Sequence, residues 1–278
     1  MQFEPRIREK ERNVKRSLDL LRKARQMGAT VCVLPELCNS GYVFDSRSEA
    51  YELSEQVPDG PTSRAWTKFA RANNAYIVAG IAERDGSRLY NSQIFIGPDG
   101  YIGKHRKVHL WYKEKLFFEP GDLGYQVFVT EIGRISGLIC YDMWFPEAVR
   151  IQALQGADIV CVSTNYVPIP GQKKDELPMH CYLCMGHSHV NAVFMAAAAR
   201  IGTERGQLFI GRSMITDPAG WPLAGPASFD KEEILVAELD LSKARTGKQW
   251  SELNNPITDR RTDVFDVMLG YKPSQISR

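Results

Sequence analysis

Three side chains of this protein carry groups that could together open an amide: the thiol of Cys140, the carboxylate of Glu36 and the ammonium of Lys107. A thiol can attack a carbonyl carbon, a neighbouring base can take its proton, and a fixed cation can hold the oxyanion that forms. Cys140 closes the apolar run Leu138-Ile139 and is followed, after aromatic and polar residues, by Pro146-Glu147, which reads as the first turn of a helix. A nucleophile at such a strand end is held rigidly by the sheet, and backbone N–H groups just past it can face a developing negative charge. The plainer reading is one more buried small apolar residue, because free cysteine is among the most buried types. Glu36 ends TVCVLPE, a run suited to a strand buried on both faces. A carboxylate emerging there is partly desolvated, which raises its pKa; a helix cap or an ion-pair partner is an equal reading. Lys107 belongs to a basic set with Lys104 and Arg106 in YIGKHRKVHL, whose plainer reading is a solvated edge strand.

The elements that must position these groups follow from periodicity. Val14, Leu18, Leu20, Leu21, Ala24 and Met27 recur among charged residues over 9–27, an amphipathic helix closed by Gly28. Pro61 to Asn73 reads as a helix and AYIVAGIAE as a buried strand. Asp85-Gly86 and Pro98-Asp99-Gly100 mark turns around the strand LYNSQIFIG, followed by the strand that holds Lys107. WYKEKLFFEPGD is a loop, and YQVFVTEIGRISGLIC is a hairpin whose return strand delivers Cys140. Further on come a helix over Pro146–Gln155, the strand ADIVCVSTN ending at Asn165, a helix over Pro178–Asn191 and the strand AVFMAAAARIG. SMITDPAGW and EILVAELD read as two further strands, and the polar tail from Trp250 has no core pattern of its own. Helices and strands alternate while several strands are joined by hairpins, so mixed sheets covered by helices are expected.

Composition narrows the function classes. With 278 residues, 44% of them hydrophobic, there is material for one large α/β core, and without repeats or Gly/Ser linkers a single domain over 1–278 is the expectation. A net charge of +2, from 35 basic against 33 acidic residues, argues against nucleic acid or an anionic membrane as partner. No apolar run reaches the ~18 residues of a membrane span, and the polar start is unlike a signal sequence. Six cysteines are too sparse for a disulfide framework and read as reduced thiols of a cytoplasmic protein.

Taken in order, LPE with Glu36, RKVHL with Lys107 and GLICYDMWFPE with Cys140 resemble the three motifs of the nitrilase superfamily, the carbon–nitrogen hydrolases. The stretch Glu114 to Gly121 resembles the family's second-glutamate loop, an acid six residues before Pro-Gly, and that register selects Glu114 over Glu119. The resemblance spans nearly the whole chain. It implies a four-layer α-β-β-α sandwich with two mixed sheets and pairing into a homodimer or larger homo-oligomer, with the tail from about residue 250 to 278 at a subunit interface. It implies no cofactor and no metal. It also implies a small-molecule amide, carbamoyl or nitrile substrate, with Glu36 as general base, Lys107 as oxyanion partner, Cys140 as nucleophile and Glu114 as a positioning acid. The family opens on an apolar strand leading into Gln-x-x-Pro, so Met1-Gln2-Phe3-Glu4-Pro5 implies an opening strand cut short.

The resemblance also bears on the substrate. Nitrilases proper usually follow the cysteine with Trp-Glu, whereas Tyr141-Asp142 here is similar to amidase and carbamoylase branches. Branches acting on acidic substrates place an arginine within four residues of the cysteine, where this chain has Met143 and Trp144. A neutral or amine-bearing amide is therefore expected, in a cleft lined by Tyr42, Trp111, Tyr141, Trp144 and Asn165. An acyltransferase at the same site and a silent scaffold of the same fold are the alternatives; a scaffold would be expected to lose one of these groups. HCYLCMGHSH (His180, Cys181, Cys184, His187, His189) has zinc-ligand types. On a helix, however, its two cysteines share a face while His187 and His189 diverge, so no metal is expected there.

Overall fold

Alternate residues of one strand face two different cores, and this sets the layering. The computed structural model describes residues 1–173 and 175–268. Strand β1 (Val31–Val33) runs parallel to β2 (Tyr76–Asp85), which continues antiparallel into β3 (Arg88–Gly97) and β4 (Gly100–Arg106), a four-stranded sheet in the order β1-β2-β3-β4. Ile77, Ala79 and Ile81 of β2 pack outward with Leu20, Leu21 and Ala24 of α1 (Lys10–Gln26) and with Trp66, Phe69 and Ala70 of α3 (Pro61–Asn73). Tyr76 and Val78, pointing the other way, meet Ile135, Ile159, Phe194 and Ala196 of a second sheet. That period of two is the strand repeat, and each fully buried Leu or Ile in these layers contributes ~1.5–3 kcal/mol. Pro61 starts α3 with the φ a first turn needs, and Asn74 ends it in the left-handed region at φ 47°. A short α2 (Arg47–Leu53) precedes it, capped by the Ser46 hydroxyl on the Glu49 amide.

The second sheet holds β5 (Val127–Thr130), β6 (Gly133–Ile139), β7 (Ile159–Thr164), β8 (Phe194–Ala199), β11 (Met214–Thr216) and β12 (Pro222–Ala224) in the order β12-β11-β8-β7-β6-β5. Strands β6, β7 and β8 are parallel neighbours and the outer pairs antiparallel, so both sheets are mixed. Its outer face is covered by α4 (Pro146–Leu154) and α5 (Met179–Asn191), through Ala148, Val149, Ala153, Cys181 and Cys184 against Leu138, Val160, Val162 and Met195. A hairpin of β9 (Ile201–Glu204) and β10 (Gln207–Ile210) stands apart, and α6 (Ser242–Thr246) and α7 (Thr262–Met268) lie towards the end of the chain. The architecture is an α-β-β-α sandwich.

Three local readings change. EILVAELD forms no strand: Glu233 bridges Gln2, and the backbone of 234–239 makes no hydrogen bond among the described residues. Its apolar residues are at most half-buried, lining a cavity of about 670 Å³ that the segment shares with Val31–Val33 without sheet pairing. The TVCVLPE strand is shorter than its apolar run, since only 31–33 pair. Lys104 and Arg106 are not a solvated edge, because both bind Glu83 of β2, and Arg106 also binds Asp85 and Asp122. Of the tail 250–278, residues 269–278 lie outside the described residues.

Candidate active site

The candidate groups come from the carboxyl ends of strands in both sheets. Glu36 follows β1, Lys107 follows β4, Cys140 follows β6, and Glu114 sits in a 3-10 turn over Tyr112–Leu116. Glycine at position 80 permits this, since a Cβ on that part of β2 would collide with the backbone of Pro35 and Glu36. Lys107 is fully buried and lies between the two acids, its Nζ 2.6 Å from Glu36 Oε1 and 2.7 Å from Glu114 Oε1. Glu119 is elsewhere, paired with Arg47 at 3.0 Å. Burial opposes the Lys107 charge, but Glu114 and then Glu36 outweigh it and push its pKa up.

The two acids differ in what their oxygens do. Both oxygens of Glu114 are occupied: Oε1 also accepts from the Tyr42 hydroxyl at 2.5 Å, and Oε2 accepts from the Trp111 amide at 3.1 Å. Glu36 accepts from Lys107 and, at 2.7 Å, from Asn91 Nδ2 on Oε1 alone, while its buried Oε2 has no partner among the described residues. Burial raises the Glu36 pKa to about 7, with Lys107 pulling it down and Glu114 pushing it up. A carboxylate at that value can hold or release a proton near neutrality.

Cys140 begins a 3-10 turn, Cys140–Trp144, with φ 44°, a strained value for a residue with a Cβ and one that clusters at functional sites. Burial, then the Glu36 charge, raises its pKa to about 12, against the pull of Lys107. The resting thiol is therefore neutral and needs a base. All six cysteines are free, and Cys140, at 9% exposure, is the most accessible of them.

A buried thiol, a buried acid with one unpartnered oxygen and a caged lysine are a hydrolase's equipment, and the family model for carbon–nitrogen hydrolases matches residues 1–249. The chain belongs to the carbon–nitrogen hydrolases. It is 41% identical over 265 residues to a nitrilase of Pyrococcus abyssi, covering 95% of this chain and 97% of that one. It is 35% identical over 275 residues to an N-carbamoylputrescine amidase of Solanum lycopersicum, covering 92% and 89%. A carbon–nitrogen hydrolase structure from Helicobacter pylori superposes with a TM-score of 0.84 at 25% identity, over 97% of each chain. The protein is thus a carbon–nitrogen hydrolase of the nitrilase superfamily.

Around the hydrolase's thiol the expected substrate-facing residues fall into two groups. Tyr42, Trp111 and Tyr141 stand at the site: Tyr42 bonds Glu114, and the Trp111 ring meets Tyr141 edge-on at 4.9 Å, with Phe145 extending the aromatic wall. Trp144 is 37% exposed on the same turn. Asn165 instead turns its amide to the Glu36 carbonyl at 3.1 Å, fixing the backbone there. Met143 does not line the cleft; it is fully buried, and its sulfur meets Cys184 at 3.5 Å and accepts from the Tyr166 hydroxyl at 3.7 Å. A methionine three positions after the first residue of a tight turn points to the core, which reading along the sequence cannot resolve.

The histidines and cysteines of α5 are separately engaged. His187 bonds the Met143 carbonyl at 2.8 Å, His180 stacks on Tyr166 at 3.5 Å, and Cys181 faces the Arg212 carbonyl. Among the described residues no three His, Cys, Asp or Glu side chains converge as a metal site. No described helix is long and apolar enough to cross a membrane.

Sequence reading missed Asn91 and the network of His105, His109 and Asp142. Asn91 had a signal, since Asn-Ser-Gln interrupts the apolar strand LYNSQIFIG. Asp142 is fully buried; burial alone would raise its pKa, but hydrogen bonds from His105 and then His109 hold it well below the carboxylate range.

Proposed function

We propose that this hydrolase cleaves carboxamides that are neutral or carry a cationic amine, through a thioester on Cys140. The observation that carries the reading is the unequal pair of acids on one lysine: Glu114 has both oxygens engaged, while Glu36 keeps a buried oxygen free. Glu36 Oε2 takes the thiol proton as sulfur bonds to the carbonyl carbon. The carbonyl oxygen becomes an oxyanion held by Lys107 Nζ and by N–H groups of the turn after Cys140. Collapse breaks the C–N bond, and Glu36 hands its proton to the departing amine. Glu36 then deprotonates a water that attacks the thioester, the C–S bond breaks, and the carboxylic acid leaves as the thiol regains its proton. Burial holds the thiol pKa far above that of the Glu36 carboxylate, so the proton moves as the C–S bond forms.

The aromatic wall of Trp111, Tyr141 and Phe145 supports the substrate class. A cationic amine gains ~0.5–2 kcal/mol on such faces. A carboxylate without a partner loses several kcal/mol on desolvation, about 10²-fold or more in discrimination. Two nearby cations are committed elsewhere, Arg200 to Glu204 and Arg205 to Glu49. Carbamoyl amines are the second reading, favoured by the tomato relative, whose name joins a carbamoyl group to an amine. The six free, buried cysteines suit a reducing compartment such as the cytoplasm. The exposed Trp250 and Leu253 of the tail suit assembly of copies into a homodimer or larger oligomer.

Mass spectrometry of the protein mixed with amides, carbamoyl amines and nitriles should reveal a transient acyl adduct on Cys140 for the true class. An adduct on no member of the panel rejects the thioester. In a paired series of amides ending in methyl, ammonium or carboxylate, kcat/KM should fall about 10²-fold at the carboxylate member. Trp144→Arg should narrow that gap, and a wild-type preference for the carboxylate would overturn the substrate class.

A further inference from the structure

We infer that Asp142 is a positioning residue for the reaction: its carboxylate clamps the segment bearing Lys107 to the turn bearing Cys140, through the two imidazoles that flank the lysine. Oδ1 accepts from the His109 backbone amide at 2.9 Å and stands 3.0 Å from His109 Nδ1. Oδ2 stands 3.1 Å from His105 Nε2 and accepts from the Ile139 amide at 3.3 Å. His105 and His109 lie two residues either side of Lys107, and Ile139 and Asp142 bracket Cys140. One buried carboxylate therefore joins both candidate segments, one from each sheet. The imidazoles are themselves fixed, His109 by stacking on Phe145 at 3.6 Å and His105 by stacking on Tyr125 at 5.7 Å.

The donors required of the rings follow from the acceptor. An ionised carboxylate only accepts, so the nitrogen nearest it carries the hydrogen: Nδ1 of His109, which the Tyr125 hydroxyl also approaches at 3.3 Å, and Nε2 of His105. The other His105 nitrogen, Nδ1, is buried without a partner among the described residues. If the clamp is released, the Lys107 segment can shift against the nucleophile while substrate contacts on the aromatic wall persist. The loss then falls on kcat rather than KM.

The inference rests on the proposed roles of Lys107 and Cys140, but the two fail separately: those roles through Cys140→Ala, this one through His109. His109→Ala removes the side-chain donor and should lower kcat ~10–10²-fold, the cost of a displacement of about 1 Å, with KM little changed. His109→Asn returns an N–H donor near the Nδ1 position and should recover most of the loss. Wild-type kcat in His109→Ala, or an equal loss in His109→Asn, overturns the clamp. Asp142→Asn should show the same fall in kcat, but a buried change there can also compromise folding, and so the His109 pair decides. Independently of activity, two-dimensional proton–nitrogen spectra of the intact enzyme should show His109 as the Nδ1–H tautomer; the Nε2–H tautomer would also overturn it.

Discussion

Cys140→Ala is expected to abolish turnover, a loss on the order of 10⁴-fold or more, while leaving the fold and its melting temperature essentially intact. The thiol is the atom that bonds to substrate in the proposed reaction, and the side chain is small, so its removal costs little packing. Cys140→Ser should be nearly as inactive, because a hydroxyl is harder to ionise than a thiol beside a base held at about 7. Steady-state rates on the best substrate of the panel, with circular dichroism as the folding control, measure both. A tenth of wild-type activity in the alanine variant would end the assignment. The expected adduct should also vanish from the mass spectrum of Cys140→Ala, which separates loss of the nucleophile from loss of binding.

Glu36→Gln should lower kcat ~10²–10⁴-fold, the usual worth of a general base. The substitution keeps the shape and the oxygen that accepts from Lys107 and Asn91, and removes proton acceptance at the other. Wild-type kcat/KM should show a limb with a pKa near 7. The sign follows from the base needing to be ionised: below that pH Glu36 is protonated and the rate falls, and above it the rate levels off. Glu36→Gln should lose this limb and accumulate thioester if water activation is the slower half. Near-normal turnover, or an unchanged acid limb, would move the base elsewhere. Glu114→Gln is the contrast, since both its oxygens only hold neighbours in place.

How much of this was legible in the sequence depended on whether a residue's role is local. Helix α3 was readable because Pro61 fits a first turn and its apolar residues share one stripe, both properties of adjacent residues. The Cys140 hairpin was readable from its turn and its alternation. EILVAELD was misread because an apolar run records burial but not whether a neighbouring strand exists to pair with it. Lys104 and Arg106 looked solvated because their partner, Glu83, lies on another strand some twenty residues earlier. Of the candidate site, Glu36, Lys107, Glu114 and Cys140 were singled out through motif order, and Lys107 does lie between Glu36 and Glu114. Asn91, His105, His109 and Asp142 were not, because their function lies in whom they touch. Met143 shows the limit in the other direction, as its place beside Cys140 in sequence suggested a cleft position that a tight turn reverses.

Glu36 and Lys107 hang from one sheet and Cys140 from the other, so the distance between them is a property of how the sheets rest on each other. Gln93 spans that seam, its amide bonding the Cys161 carbonyl and the Ser163 hydroxyl at 3.1 and 2.9 Å. Phe95 packs across it against Phe128. The active site thus acts as a calliper on the interior, reading slippage between layers that keep their own hydrogen bonds. On warming, turnover should be lost before the circular dichroism signal of the strands, and seam substitutions far from any substrate should widen the interval between the two.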